Sequence, residues 1–536
     1  MTMQTPPPPT PLIPETAPFS PEQRAWLNGF FAGLLSLDAG ATPAPAGAVT
    51  LPGDKQADGD DGAAPWHDPA MSIEERMKLA EGRPLRRRMM AAMAQQDCGQ
   101  CGYNCADYSD AIAEQAEPRL NLCVPGGKAT ARMLKALVEE MGGGVLDPDE
   151  QAAKQAARAP KSEDVRPGRS RESPVVATFI GKRRLNAPAS EKVTNHVEID
   201  LSESGLEYEV GDSLGVYATN APQLVDEIIA TIGLPPDFPI VDKPLREVLI
   251  EDMSLSPAPD ALFELISYLT GGERKKKARE LAKGGDPDGD AAMLDVLSAL
   301  LKFPGIHPDP EALVESLEPL QPRLYSISSS PKAEPGRVSL TVDAVRYTAG
   351  GWLREGVAST FLDGRIAPGD TLKVYVQKAH GFALPEDPAT PIVMVGPGTG
   401  IAPFRAFLQE RKATSAPGDC WLFFGHQRSA TDYFYEEELA ELRQGGVLTK
   451  LSLAWSRDGA KKVYVQDKMR EEADELFAWL ERGAHFYVCG DAQRMAKDVE
   501  TALTDVVAGS GKRAPGDAKA YVADLKTAGR YQTDVY

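Results

Sequence analysis

The alternation of apolar and polar positions divides the chain into stretches of different period. Up to residue 20 there is only proline-rich sequence; behind Ser20, a good N-cap, Trp26, Leu27, Phe30, Phe31 and Leu34 then recur at helical spacing and predict an amphipathic helix over 21–37. Gly, Ala, Pro and Asp dominate from 38 to about 70, which reads as a tether without core-forming pattern. A helical period returns from Ile73 to Met93 and opens a small α-helical unit over 71–141, followed by a Gly-, Pro- and charge-rich linker over 142–172. VVATFIGKRRL, VTNHVEIDL and YEVGDSLGVY then alternate with period two, as antiparallel strands of a small barrel do. At about residue 221 the period changes: LVDEIIATIGL, ALFELISYLTGG and AAMLDVLSALLKF are helical, so 221–319 forms a helical insertion within a barrel domain spanning 173–384. Strands resume at Arg323, and PIVMVGPGTGIAPFRAFLQER (391–411) is a strand, a glycine-rich turn and a helix, the start of an α/β parallel-sheet domain over 385–536.

At 536 residues, with roughly 150 per domain, the chain divides into three or four units, and 42% apolar content is enough for real cores. The net charge of −20 argues against nucleic acid and against anionic membranes, and suits a basic partner protein. No apolar run approaches the ~20 residues of a membrane span, and the N-terminus lacks a charged-then-apolar signal, so the expectation is a cytoplasmic protein. Six cysteines in so long a chain point to metal or redox use rather than a disulfide scaffold.

Four of them, Cys98, Cys101, Cys105 and Cys123, follow the spacing C-x2-C-x3-C-x17-C, three on one tight loop and a fourth returning from a distance. Such a set can hold an iron–sulfur cubane, while paired knuckles at both ends, of which only one is present, would suit tetrahedral zinc; these ligations and unligated structural cysteines remain open on spacing alone. CGQCGY, and a last cysteine followed within a residue by PGG, resemble the small 4Fe-4S domains of bacterial electron-transfer complexes. The stretch departs from them in having three residues between the second and third cysteines, and Val124 where proline is usual.

RLYSISSSP offers a cation, an aromatic ring and a hydroxyl on one strand: Arg323 for a pyrophosphate, Tyr325 to stack on an isoalloxazine, Ser326 to hydrogen-bond near its reacting nitrogen. LTVDAVRY reads as a further strand, and the turn Gly356 to Ser359 can cap a helix beginning near Thr360, a second anion site. In the GPGTG loop, Gly396, Gly398, Thr399 and Gly400 let the backbone approach a nucleotide phosphate. Ser456 and Arg457 follow an apolar strand, with Lys462, Tyr464 and Gln466 within reach; arginine there suits a 2′-phosphate, where an NAD site would offer a carboxylate. Asp458 is expected to be solvated and Cys420 to be packing.

From about Arg171 to Tyr536 the sequence resembles the ferredoxin-NADP-reductase module of the diflavin reductases, and within them the NADPH-sulfite reductase flavoprotein branch. The resemblance implies FAD contacts from Arg323, Leu324, Tyr325, Ser326, Thr341, Val342, Asp343, Tyr347, Gly356, Val357, Ala358 and Ser359. It implies NADP contacts from Lys462, Val463, Tyr464, Val465, Gln466 and Asp498. It further implies a hydride-transfer group of Ser326, Cys489 and Asp534, with Tyr536 as an aromatic cover over the flavin that NADPH must displace. No flavodoxin-type phosphate loop precedes Arg171, and the four-cysteine unit stands where that domain would be. The expected route is therefore NADPH to FAD to a 4Fe-4S cluster to a separate sirohaem subunit, with 21–37, which resembles the family's N-terminal segment, serving self-association. Two other readings fit the same chain: a reductase serving nitrate or nitrite reductase, a ferredoxin or a monooxygenase, and a zinc-stapled interaction module without enzymatic activity.

Overall fold

The computed structural model describes residues 64–69, 71–96, 98–141, 166–349, 351–379 and 381–536. The proline-rich start, the helix expected at 21–37, the tether as far as residue 63 and the linker over 142–165 lie outside the described residues.

The helical period over 73–93 resolves into two helices rather than one, α1 (Ile73–Leu79) and α2 (Leu85–Ala92). Gly82 takes φ +76°, which turns the chain, and Pro84, with no N–H to give, starts α2 instead of continuing α1. Ser72 and Glu75 close a reciprocal capping box at the start of α1. With α3 (Cys105–Ala113) and α4 (Gly127–Glu140) these helices bury Met89, Met93, Tyr108, Ile112, Leu134 and Leu137 together. Trp66, from the stretch read as tether, is also fully buried, against Ala80 and Ala91.

The barrel begins with β1 (Val175–Arg184), β2 (Thr194–Asp200) and β3 (Ser213–Val216). The insertion follows: α5 (Pro222–Ile232), α6 (Leu245–Glu251), α7 (Asp260–Leu269), α8 (Gly272–Ala282), α9 (Val296–Lys302) and α10 (Pro310–Glu315), which share one apolar core. The chain then returns through β4 (Arg323–Ser326), β5 (Arg337–Asp343), the hairpin β6 (Arg346–Ala349) and β7 (Trp352–Glu355), α11 (Val357–Thr360) and β8 (Thr371–Gln377). The antiparallel order is β4-β3-β8-β1-β2-β5, and a bridge between Ile327 and Leu340 joins the two ends of the sheet. The helix after Gly356 starts at Val357, three residues before the expected Thr360, because Gly356 itself is the N-cap.

The last third alternates β9 (Ile392–Val395), α12 (Ala402–Thr414), β10 (Cys420–His426), α13 (Ser429–Asp432), α14 (Glu436–Gln444), β11 (Lys450–Trp455), α15 (Val465–Glu471), α16 (Ala473–Glu481), β12 (His485–Gly490), α17 (Met495–Gly509), α18 (Pro515–Thr527) and β13 (Tyr531–Val535). All five strands are parallel, in the order β11-β10-β9-β12-β13. Both faces are covered: Val393, Val395, Phe423 and Val488 face one core, Ile392, Met394, Leu422 and Cys489 the other, which is why these strands read as continuous apolar runs.

Polar contacts lock the units together. The Tyr435 hydroxyl meets Thr341 Oγ1 at 2.7 Å, and Arg405, at the foot of α12, donates to the Ser328 carbonyl at 2.7 Å. The bundle is tied to the insertion by a two-pronged Arg132–Asp260 pair at 2.9 and 3.0 Å, and to the residue just before β4 by Gln100 Nε2 donating to the Pro322 carbonyl at 2.9 Å. Arg171, at the end of the expected linker, donates to the Gln100 carbonyl at 2.8 Å.

Candidate active site and cysteine centre

A cleft of about 730 Å³ opens where the barrel, the parallel sheet and the cysteine bundle meet. That is the size of a site for an extended cofactor. β4 supplies Arg323, Leu324, Tyr325 and Ser326 to its wall, β5 supplies Thr341 and Asp343, and the turn into α11 supplies Gly356, Val357, Ala358 and Ser359. Two members of the expected flavin set stand elsewhere. Val342, on the opposite face of β5 from its neighbours, is buried in the barrel core, and Tyr347 is exposed on the β6–β7 hairpin. Arg323 forms no ion pair with any described carboxylate, so its charge is available to an anionic ligand. Asp343 is engaged, accepting from Lys192 Nζ at 3.0 Å and Thr194 Oγ1 at 3.3 Å.

At one end of the cleft Ser326 and Asp534 stand on the wall, with Cys489, the third residue of the expected hydride-transfer group, fully buried behind them. Ser326 Oγ donates to Asp534 Oδ2 at 2.6 Å, and Cys489 Sγ approaches the same oxygen at 3.6 Å. The parallel pairing of β12 with β13 sets Cys489 beside Asp534, while β4 brings Ser326 from the barrel, 208 residues away. Burial pushes the Asp534 carboxyl above its ordinary range, and the bonds from Ser326 and Cys489 pull it back. Burial first, and the neighbouring carboxylate second, hold the Cys489 thiol well above its usual value, so it stays protonated and acts as a donor. Tyr536 covers this end, its hydroxyl 2.8 Å from Thr399 Oγ1 and its side 55% exposed.

The glycine loop has a packing reason beside its suitability for phosphate. A Cβ on Gly400 would come within 2.1 Å of the Cys489 carbonyl oxygen, and one on Gly396 within 2.4 Å of the Gly400 carbonyl; Gly398 takes φ +60°. Only Thr399 of this loop reaches the cleft wall. The groups expected around a 2′-phosphate lie beyond the C-terminal ends of β10 and β11, the usual ligand edge of a parallel sheet. Lys462 and Tyr464 are exposed, Val463 and Val465 pack inward, and Gln466 Nε2 donates to Asp498 Oδ2 at 3.3 Å. Arg457 is engaged by Glu191 at 2.6 Å, and Ser456 Oγ donates to the His426 carbonyl at 3.3 Å. Asp458, expected to be only solvated, accepts from the Ser429 N–H at 3.0 Å.

In the bundle, Cys98, Cys101, Cys105 and Cys123 line one cavity, with Tyr103 and Tyr108 beside them. Gly99 and Gly102, at φ +66° and +90°, make the loop tight enough to present Cys98 and Cys101 together, and Asn104 caps α3 so that Cys105 begins it. None of the four is joined in a disulfide. Burial pushes Cys98 up to about 12 and Cys101 to about 11, and raises Cys123 as well. Among the described residues no three His, Cys, Asp or Glu side chains gather closely enough for a single metal ion. Cys98, with Gln96, Gln100, Val124 and Pro125, also lines the large cleft. The sequence reading did not anticipate this shared wall, because it joins segments far apart along the chain.

Two folded units, one presenting an arginine-bearing strand and a capped turn to a cleft and the other a glycine loop on a parallel sheet, define an FAD- and nicotinamide-binding oxidoreductase. Residues 167–361 match the FAD binding domain family and 394–501 the oxidoreductase NAD-binding domain family. The chain is 40% identical over 434 residues to the sulfite reductase [NADPH] flavoprotein alpha-component of Bacillus subtilis (strain 168), covering 79% of this chain and 70% of that protein. It is 43% identical over 375 residues to that of Mannheimia succiniciproducens, and 42% identical over 377 residues to that of Escherichia coli (strain K12). These two alignments cover 68% of this chain and span 62% and 61% of the relatives. The chain belongs to the family of sulfite reductase [NADPH] flavoprotein alpha-components. No helix among the described residues is long and apolar enough to cross a membrane.

Proposed function

We propose that this chain is the NADPH-oxidising flavoprotein component of an assimilatory sulfite reductase, with FAD in the large cleft, a 4Fe-4S cluster on Cys98, Cys101, Cys105 and Cys123, and a separate sirohaem subunit as its client. The division of labour follows the expected boundaries: 71–141 for the cluster, 173–384 for FAD, 385–536 for NADPH. Bound FAD would take two electrons together and release them singly, and a cluster would accept them one at a time.

The residues present fit these groups. Arg323 and the N–H groups at the start of α11 suit a pyrophosphate, and Tyr325 offers a ring face along the same wall. Ser326 and Asp534, at the opening covered by Tyr536, would orient a nicotinamide and balance its developing charge, with the buried Cys489 donating to Asp534 from behind. Ser456, Arg457, Lys462, Tyr464 and Gln466 would hold the 2′-phosphate. Four thiols lining one cavity are the donor set that a 4Fe-4S cluster takes. Metal ligation would also remove the protons that burial now holds on them.

The observation that carries the proposal is that Cys98 belongs to both cavities, so a flavin and a cluster would share a wall. Anaerobic purification of the full chain, with iron, acid-labile sulfide and flavin measured on one sample, tests it. About four irons and four sulfides per FAD are expected; zinc in place of iron, or bound FMN, sinks the proposal. Sulfide formation from sulfite only after a sirohaem subunit is added identifies the client.

A further inference from the structure

Arg457 is not waiting free for a ligand: the Glu191 carboxylate accepts from its guanidinium at 2.6 Å. Resting on the reading of Arg457 as the 2′-phosphate receptor, we propose that Glu191 is a specificity-setting residue, an internal carboxylate that competes with the 2′-phosphate for Arg457.

The carboxylate is held in place by its loop. Residues 185–193 connect β1 to β2 on the barrel and dock on the turn around α13 of the nucleotide half. Ala187 N–H donates to the Thr431 carbonyl at 2.8 Å. Asn186 Nδ2 and Ser190 Oγ both donate to Asp432 Oδ1, at 2.7 and 2.5 Å, and Asp432 is buried. On its other side Lys192 pairs with Asp343, in the flavin cleft wall, at 3.0 Å. Glu191 thus stands between two anchored neighbours. Arg457 is anchored too, its N–H donating to the Gln427 carbonyl at 2.7 Å and its carbonyl accepting from Arg428 at 3.1 Å. Both side chains of the pair remain well exposed, so a ligand can reach them.

The exchange is a substitution of anions. A phosphate monoester carries more charge than a carboxylate and matches the guanidinium fork with more acceptor oxygens, so it displaces Glu191; a neutral ribose hydroxyl does not. The competitor therefore weakens binding of 2′-phosphorylated nucleotides, narrows the NADPH preference and speeds release of NADP⁺, leaving nucleotides without the phosphate unaffected. An exposed pair of this kind lowers affinity by about 1.5- to 5-fold.

The test is calorimetric titration of full-length wild type, Glu191→Gln and Arg457→Gln with adenosine 2′,5′-bisphosphate and with 5′-AMP. Glu191→Gln is expected to tighten the bisphosphate by about 1.5- to 5-fold and leave 5′-AMP unchanged. If Arg457→Gln weakens the bisphosphate while Glu191→Gln leaves it unchanged or weakens it, the competitor role is overturned and the receptor role of Arg457 stands. If Arg457→Gln has no effect on the bisphosphate, both are overturned. Equal tightening of both nucleotides by Glu191→Gln also overturns the proposal, since it would reflect a general change in the site.

Discussion

Replacing Ser326 with alanine removes the shortest bond in the proposed hydride-transfer group, the 2.6 Å donation to Asp534. A hydrogen bond to an ionised acceptor contributes about 1.5–3 kcal/mol. If Asp534 is ionised and the bond orients it during nicotinamide oxidation, flavin reduction slows by about ten- to 150-fold, the rate equivalent of that energy. Stopped-flow bleaching of the flavin band on mixing with NADPH measures it. The same change has a signature in stability. Burial already holds Asp534 above the ordinary carboxylate range and the Ser326 bond opposes that rise, so Ser326→Ala moves the group further up. A carboxyl raised in the folded state contributes its full stability below its unfolded value and loses it as pH climbs through the folded value. The variant should therefore melt below wild type by a wider margin at neutral pH than near the unfolded carboxylate value of about 4. An equal margin at both pH values, or an unchanged reduction rate, would refute the assignment of Ser326 as partner of an ionised Asp534.

Two further substitutions probe the supports of the site. Gly400→Ala would set a methyl 2.1 Å from the Cys489 carbonyl, and because that atom is backbone, β12 must move; the expected outcome is a loss of about 1–3 kcal/mol in denaturant unfolding and slower flavin reduction with FAD retained. Trp66→Ala empties a fully buried position against Ala80 and Ala91, and a loss of about 3–5 kcal/mol should lower the melting of the cysteine bundle while flavin content stays near wild type.

What could be read from the sequence was what is local. The β9 strand, the glycine turn and α12 follow one another within about twenty residues, and RLYS keeps its ladder, so periodicity placed them correctly. Gly82 and Pro84, both visible breakers, split the first helical stretch, and Gly356 set an earlier helix start than expected. Trp66 had no period around it to signal a core residue. Val342 and Tyr347 show the limit of transferring a motif as a block: alternation along β5 turns one residue of TVD into the barrel core, and the hairpin carries the tyrosine outward. The meeting of Glu191 with Arg457 joins segments 266 residues apart, and that of Gln100 with Pro322 joins segments 222 apart, so neither left a pattern along the chain.

The wall that Cys98 and Pro125 contribute to the large cleft has a consequence for the chain as an assembly of parts. A reductase module cut away from its bundle would lose one side of the large cleft. Transplanting the bundle onto another reductase would give no working junction unless Pro322, Gln377 and their neighbours went with it. The cysteine bundle is therefore a fitted component of this reductase, not an interchangeable attachment.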